Sequence, residues 1–111
     1  MVAALALNSY KTFVSDVTTG ITTVYTVPNG VSAIHLYSNV SNTTAGIVSV
    51  TVYHDRQGTA REIIKNAIIP TGDALSPIGG SLVLEVGDKI QVEGSQNSSM
   101  TFTLSILESA K

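Results

Sequence analysis

The chain contains no cysteine and no tryptophan, and only six basic and eight acidic side chains in 111 residues. Without cysteine there is no disulfide scaffold, no thiolate metal site and no cysteine nucleophile, and the redox compartment is left undetermined. Charged residues reach 13%, about half the ~25% usual for soluble domains. A net charge of −2 and a pI near 5.5 give no electrostatic footprint for nucleic acid. No stretch approaches the ~18–20 apolar residues of a membrane helix, and no 20–50-residue repeat is visible. Phosphate loops, calcium loops and the G-x-S-x-G elbow are likewise absent. The two histidines, His35 and His54, lack a third ligand at metal spacing and read as surface or interface residues. The carboxylates fall at turns and strand ends, where solvated acids belong. No catalytic residue, cofactor or metal site is expected, and the chain reads as a non-enzyme.

What the chain has in quantity is β-branched and hydroxylated side chains. Val, Ile and Thr supply 36 residues and Ser plus Thr 26. Stiffness at χ1 suits the branched residues to pleated surfaces. Nine glycines and three prolines punctuate the chain at short intervals. Eight extended segments follow, near 10–17, 22–27, 33–38, 48–53, 61–69, 82–86, 90–92 and 99–106. The last is the clearest, with Met100, Phe102, Leu104 and Ile106 alternating with hydroxyl residues. In the third, Ile34, Leu36 and Ser38 are expected on one face and Ala33, His35 and Tyr37 on the other. In the sixth, Leu82, Leu84 and Val86 share a face. Segment 61–69 also fits helical spacing, but its isoleucines and Pro70 favour a strand. Six- to nine-residue segments with turns every 8–12 residues fit a β-sandwich, a jelly roll or a small barrel; the expectation taken forward is an all-β, eight-stranded antiparallel β-sandwich, jelly-roll-like, over residues 10–109. Residues 1–9 form an apolar N-terminal arm ahead of it.

The outward faces of these strands carry Ser, Thr, Asn and Tyr where a free monomer would carry Lys and Glu. Such faces suit burial against another subunit, because charge is depleted at interface cores. Candidate interface residues are Val2, Leu5 and Leu7 of the arm, and Tyr37 and Tyr53, which are placed on a shared outward face. The arm's apolar surface has three outlets: docking on a neighbour, docking on its own sandwich, or fraying.

Two stretches carry a family likeness: Tyr25-Thr26-Val27-Pro28-Asn29-Gly30, and Leu82-Val83-Leu84-Glu85-Val86-Gly87-Asp88-Lys89-Ile90. This Y-T-V-P-x-G turn with a later L-x-L-E-x-G-D-x-I turn resembles small virion proteins of tailed bacteriophages, of capsid decoration, cement or tail accessory type, over roughly residues 21–107. The resemblance implies a structural virion protein that binds the capsid exterior, bridges capsomers and is made in the host bacterial cytoplasm. It implies a homotrimer whose partner is the phage major capsid protein, with no nucleic acid and no membrane partner. A tail or neck accessory protein and a carbohydrate-binding module on the virion are the alternatives. Sugar sites favour aromatic platforms, and this chain offers only four tyrosines and two phenylalanines.

Overall fold

Alternation of branched and hydroxylated residues becomes nine strands in the computed structural model, which describes residues 8–110. They are β1 (Asn8–Asp16), β2 (Thr22–Thr26), β3 (Val31–Asn42), β4 (Val48–Arg56), β5 (Thr59–Ile69), β6 (Ala74–Leu75), β7 (Val83–Leu84), β8 (Lys89–Gly94) and β9 (Met100–Ala110). Every pairing is antiparallel. One sheet runs β1-β9-β3-β6, with β7 also on β3; the other runs β2-β8-β4-β5. They are called sheet A and sheet B below. β6 pairs with Val40 and Ser41, and β7 with Ala33 and Ile34, so the two short strands share one position along the edge of β3. Counted so, the order is that of an eight-stranded jelly roll. The fold class expected from the sequence is therefore correct, and the ninth strand is one edge position interrupted by a loop.

The core lies between the sheets. β9 gives it Met100, Phe102, Leu104 and Ile106; β4 gives Val48, Val50 and Val52; β8 gives Ile90 and Val92. Where β1 lies over β2, the rings of Phe13 and Tyr25 meet with centroids 5.1 Å apart. β4 and β5 are joined by a two-residue turn at Gln57 and Gly58, whose φ values of 56° and 84° suit the twist of a hairpin. β5 confirms the extended reading of 61–69 and lengthens it at its start.

β3 departs from expectation. Ala33 and His35 are buried, whereas Leu36 and Tyr37 are about half exposed. The register explains it. β9 has a fixed apolar face, and β3 must match it: Val40 lies opposite Phe102 and Ser38 opposite Leu104. A bulge at Leu36 then resets the phase, so that His35 faces Ile106 and Ala33 faces Glu108. The inward polar side chains of β3 have partners waiting. His35 Nδ1–H donates to the Gly80 carbonyl at 2.7 Å, and Ser38 Oγ accepts the Ile78 N–H at 3.3 Å. The Asn42 amide donates to the carbonyls of Gly46, Ile69 and Pro70 at 2.7–3.1 Å. Ile34 and Leu36 are left outside. Val86 is exposed as well, because β7 ends at Leu84 and the chain turns at once, Asp88 N–H returning to the Glu85 carbonyl at 2.9 Å.

β1 begins at Asn8, two residues inside the expected arm. Val2, Leu5 and Leu7 lie outside the described residues.

Phe102 is fully buried on the strand that pairs on both sides. Phe102→Ala should cost about 3–5 kcal/mol through the cavity it leaves. A chemical denaturation curve should show the lower midpoint with an unchanged slope.

Candidate assembly face and buried acid clusters

The outer face of sheet A is built from the alternate residues of β1, β9 and β3, and the pairing lines them up in rows. Tyr10, Leu107, Ile34 and Val83 form one apolar row across four strands. The next row is Thr12, Ser105 and Tyr37, and the one after it Val14, Thr103 and Asn39. The last is Asp16, Thr101 and Ser41, and Asp16 is the single charged residue in these rows. Tyr10 is 75% exposed, Val14 68%, Val83 58% and Tyr37 50%. Polar groups on this face satisfy one another: Thr12 Oγ1 lies 2.9 Å from Ser105 Oγ, and the Ser109 hydroxyl donates to the Asn8 amide oxygen at 2.9 Å. A face that is apolar along one row, hydroxylated along the others and almost free of charge can be dried without stripping ions of water.

Tyr53 is elsewhere. It stands on the outer face of sheet B and donates to Glu93 Oε1 at 2.7 Å. That bond, with smaller contributions from burial and the nearby acids, raises its pKa. Tyr37 and Tyr53 therefore do not share a face. The sheets twist and pack with opposite outer surfaces, and the two strands belong to different layers. Beside Tyr53, the outer face of sheet B has a shallow polar hollow of about 220 Å³ lined by Ser49, Thr51, Asn66, Glu93, Gly94 and Ser95. Its acid is already engaged by Tyr53.

Sequence reasoning missed most of the face. Local alternation groups Ile34 and Leu36 opposite Tyr37, on the inward face, because a bulge has no signature in hydrophobic alternation. Val83 was hidden between Leu82 and Leu84. Tyr10 and Val14 do alternate along β1, and that spacing was the available signal.

The acids depart further from expectation, since Asp55, Asp88 and Glu108 are buried. Asp55 Oδ1 accepts the Gly58 N–H at 3.1 Å and closes the β4–β5 turn. Asp88 is held by three neighbours. His54 Nε2 lies 2.9 Å from Oδ2, Arg56 donates through Nε and Nη2 at 2.7–3.2 Å, and the Glu85 N–H donates at 3.0 Å. Glu85 also meets Arg56 Nη1 at 3.1 Å. Burial alone would push the Asp88 carboxyl up, but the guanidinium, the backbone N–H and the imidazole together hold it at about 2. His54 is thus a structural partner of a turn rather than a free surface residue. Near the same end of the sandwich, where Tyr25 pairs with Ile90 just beyond Asp88, Tyr25 of sheet B donates to Glu108 Oε2 of sheet A at 2.6 Å, and Lys11 Nζ lies 2.9 Å from Oε1. The tyrosine bond, aided by Lys11, lowers the Glu108 pKa against the opposing effect of burial. Burial and the neighbouring carboxylate raise that of Tyr25.

Both motifs behind the sequence resemblance are parts of these clusters. Tyr25 of the first ties the sheets together, and Glu85 and Asp88 of the second organise one turn. Among the described residues, no group of three His, Asp or Glu side chains is arranged to hold a metal ion.

No family model and no curated protein matches this chain. Among solved structures, it is similar to a chain of the Bacillus endospore appendages, described as forming a novel family of disulfide-linked pili. The TM-score is 0.50 at 14% identity, covering 100% of this chain and 99% of that one. That likeness is one of fold. The present 111 residues have no cysteine with which to form disulfide links. A second match, to the infectious bursal disease virus VP2 subviral particle, has a TM-score of 0.33 at 14% identity and covers 91% of this chain and 32% of that one.

Asp88 sets a pH dependence. Its carboxyl is depressed in the folded state, so the stabilisation is complete above the ordinary carboxylate value near 3.8 and is lost as pH falls from there to about 2. Melting temperature should drop across that window. Asp88→Asn should cost about 1–3 kcal/mol at neutral pH and flatten the acid limb. Thermal melts of both proteins from pH 6 to pH 2 check this.

Proposed function

We propose that this chain is a structural subunit, without enzymatic activity, that works in many copies by burying the outer face of sheet A. The observation that carries the reading is the charge-poor face itself, four rows deep and crossed by Tyr10, Leu107, Ile34 and Val83. Apolar patches of this kind on small soluble proteins mark interaction surfaces. The jelly-roll fold supports the reading because it presents two broad, stiff sheet faces.

The place of action comes from the sequence resemblance. On that basis the chain binds the exterior of a tailed-phage capsid as a cement or decoration protein, with the major capsid protein as its partner. The threefold assembly is part of the same resemblance. Tyr37 belongs to the proposed contact, while Tyr53 faces away from it.

Co-sedimentation tests the proposal. Capsids assembled from the major capsid protein of a tailed phage whose genome encodes this chain should pellet it through a sucrose cushion. Tyr37→Lys combined with Val83→Lys should cut the bound fraction about tenfold or more, the effect of roughly 1.4 kcal/mol, and leave the melting temperature near that of the parent. Equal pelleting of parent and variant, or no pelleting of either, would overturn the proposal.

A further inference from the structure

The four outer edges of the sandwich are unequally protected. β5 carries Arg61, Glu62 and Lys65 and two register shifts. β2 has five residues and a register shift, and β6 and β7 have two residues each. Charge, bulges and shortness are the devices that stop a sheet from adding a foreign strand. β1 is the least protected: it is neither short nor bulged, and its charges are Lys11 and Asp16 alone. It runs nine residues in unbroken register on β9, contains no proline, and keeps its one acid at the last position. Its lysine is turned toward Glu108.

The backbone on the open side of β1 can be assigned. The register continues to Val17, whose N–H donates to the Met100 carbonyl at 3.1 Å. In an antiparallel ladder, bonded and non-bonded residues alternate. Odd-numbered residues of β1 therefore bond to β9, and the N–H and C=O groups of Tyr10, Thr12 and Val14 point outward. Among the described residues, β1 has no strand beyond it.

We propose that β1 pairs antiparallel with β1 of a second copy about a two-fold axis at Thr12. A joining register must set even residues opposite even residues, since these carry the outward donors and acceptors. With the axis at Thr12, all nine residues are paired. Tyr10 then faces Val14 of the second copy, an aromatic residue against a β-branched one, and Thr12 faces Thr12. Lys11 faces Phe13 and Asp16 faces Asn8, so no like charges meet. Moving the axis to residue 11 sets Lys11 directly against Lys11. Moving it to residue 13 sets Ser9 and Asn8 opposite Val17 and Thr18, beyond the end of the strand. The pairing fuses two copies of sheet A and runs their charge-poor outer faces together.

This inference goes beyond the proposed function. The dimer forms without a capsid, and its axis is two-fold where the resemblance implies three-fold. Nine residues a side is fewer than the roughly 20–30 of a standard interface, so the dimer belongs in the micromolar range.

The chain's lack of cysteine makes a clean test possible. Facing residues of a bonded antiparallel pair have Cα atoms about 5.5 Å apart, within reach of a disulfide. Under mild oxidation at about 200 µM, Thr12→Cys should cross-link into a covalent dimer. Ser105→Cys, one strand further from the axis on the same face, should stay monomeric on a non-reducing gel. In light scattering the unmodified protein should approach twice 11.6 kDa at that concentration. Val14→Pro removes an outward N–H and no bond to β9, and should return the mass to the monomer value. If Val14→Pro fails to fold by circular dichroism, the cysteine pair decides. A monomeric or trimeric parent, a folded Val14→Pro of unchanged mass, or equal cross-linking of the two cysteine variants would overturn the two-fold pairing. A dimer that does not pellet with capsids would overturn only the functional reading, and a pelleting monomer only the edge pairing.

Discussion

The pleat of β9 is the constraint from which the rest of sheet A takes its order. This strand is hydrogen-bonded on both sides, to β1 and to β3, and its inward residues run without a break from Met100 through Phe102, Leu104 and Ile106 to Glu108. A strand with a two-residue period and one dry face cannot slip by one position without turning that face to water. Its neighbours are therefore forced to fit. β1 fits throughout its length. β3 fits only by adding a residue at Leu36, and that extra residue sends Leu36 and Tyr37 outward together. The composition of the outer face, and with it the proposed contact surface, is a by-product of keeping β9 in phase.

Polar groups inside the sandwich act as fasteners between parts that apolar contact would leave free to slide. Glu108 and Tyr25 join the two layers, Asp88 joins a turn to β4, and Asn42 gathers three carbonyls from the β3–β4 loop and from the end of β5 and the proline after it. Each buried acid has at least one charged or hydroxyl partner, or a backbone N–H, in hydrogen-bond range. Among the described residues one buried atom departs from this pattern: His35 Nε2 has no hydrogen-bond partner, while the opposite nitrogen is committed to Gly80. The ring is consequently held in a single tautomer by one bond, and the loop above it is held by the same bond.

The layers were legible in the sequence because alternation is written residue by residue. Val48, Val50 and Val52, and the apolar face of β9, could be assigned to the core without coordinates. What was not legible depends on residues far apart in the chain. The faces of β3 follow from β9, some 65 residues later, so local alternation placed Ile34 and Leu36 on the wrong side. The acids were misjudged for a related reason. Asp88 does sit at a turn, as its Gly87 neighbour indicates, but the arginine and histidine that let it be buried come from β4. Tyr37 and Tyr53 looked alike in sequence, and only the assignment of their strands to different sheets separates them.

The central place of β9 also governs the order of folding. Thr12 and Ser105 are 93 residues apart, and Asn8 and Ser109 are 101 apart. During synthesis, β1 and β3 leave the ribosome long before the strand that lies between them. Until β9 arrives, the two can neither pair through it nor cover their apolar residues, while the β4–β5 hairpin closes locally. Loop closure over such distances makes the transition state entropically demanding and the folding rate slow, in the millisecond-to-second range typical of β-sandwiches. The nascent chain thus spends most of its synthesis with two unsatisfied strand edges exposed, and its yield in the cell depends on how quickly the last eleven residues of the sandwich are delivered.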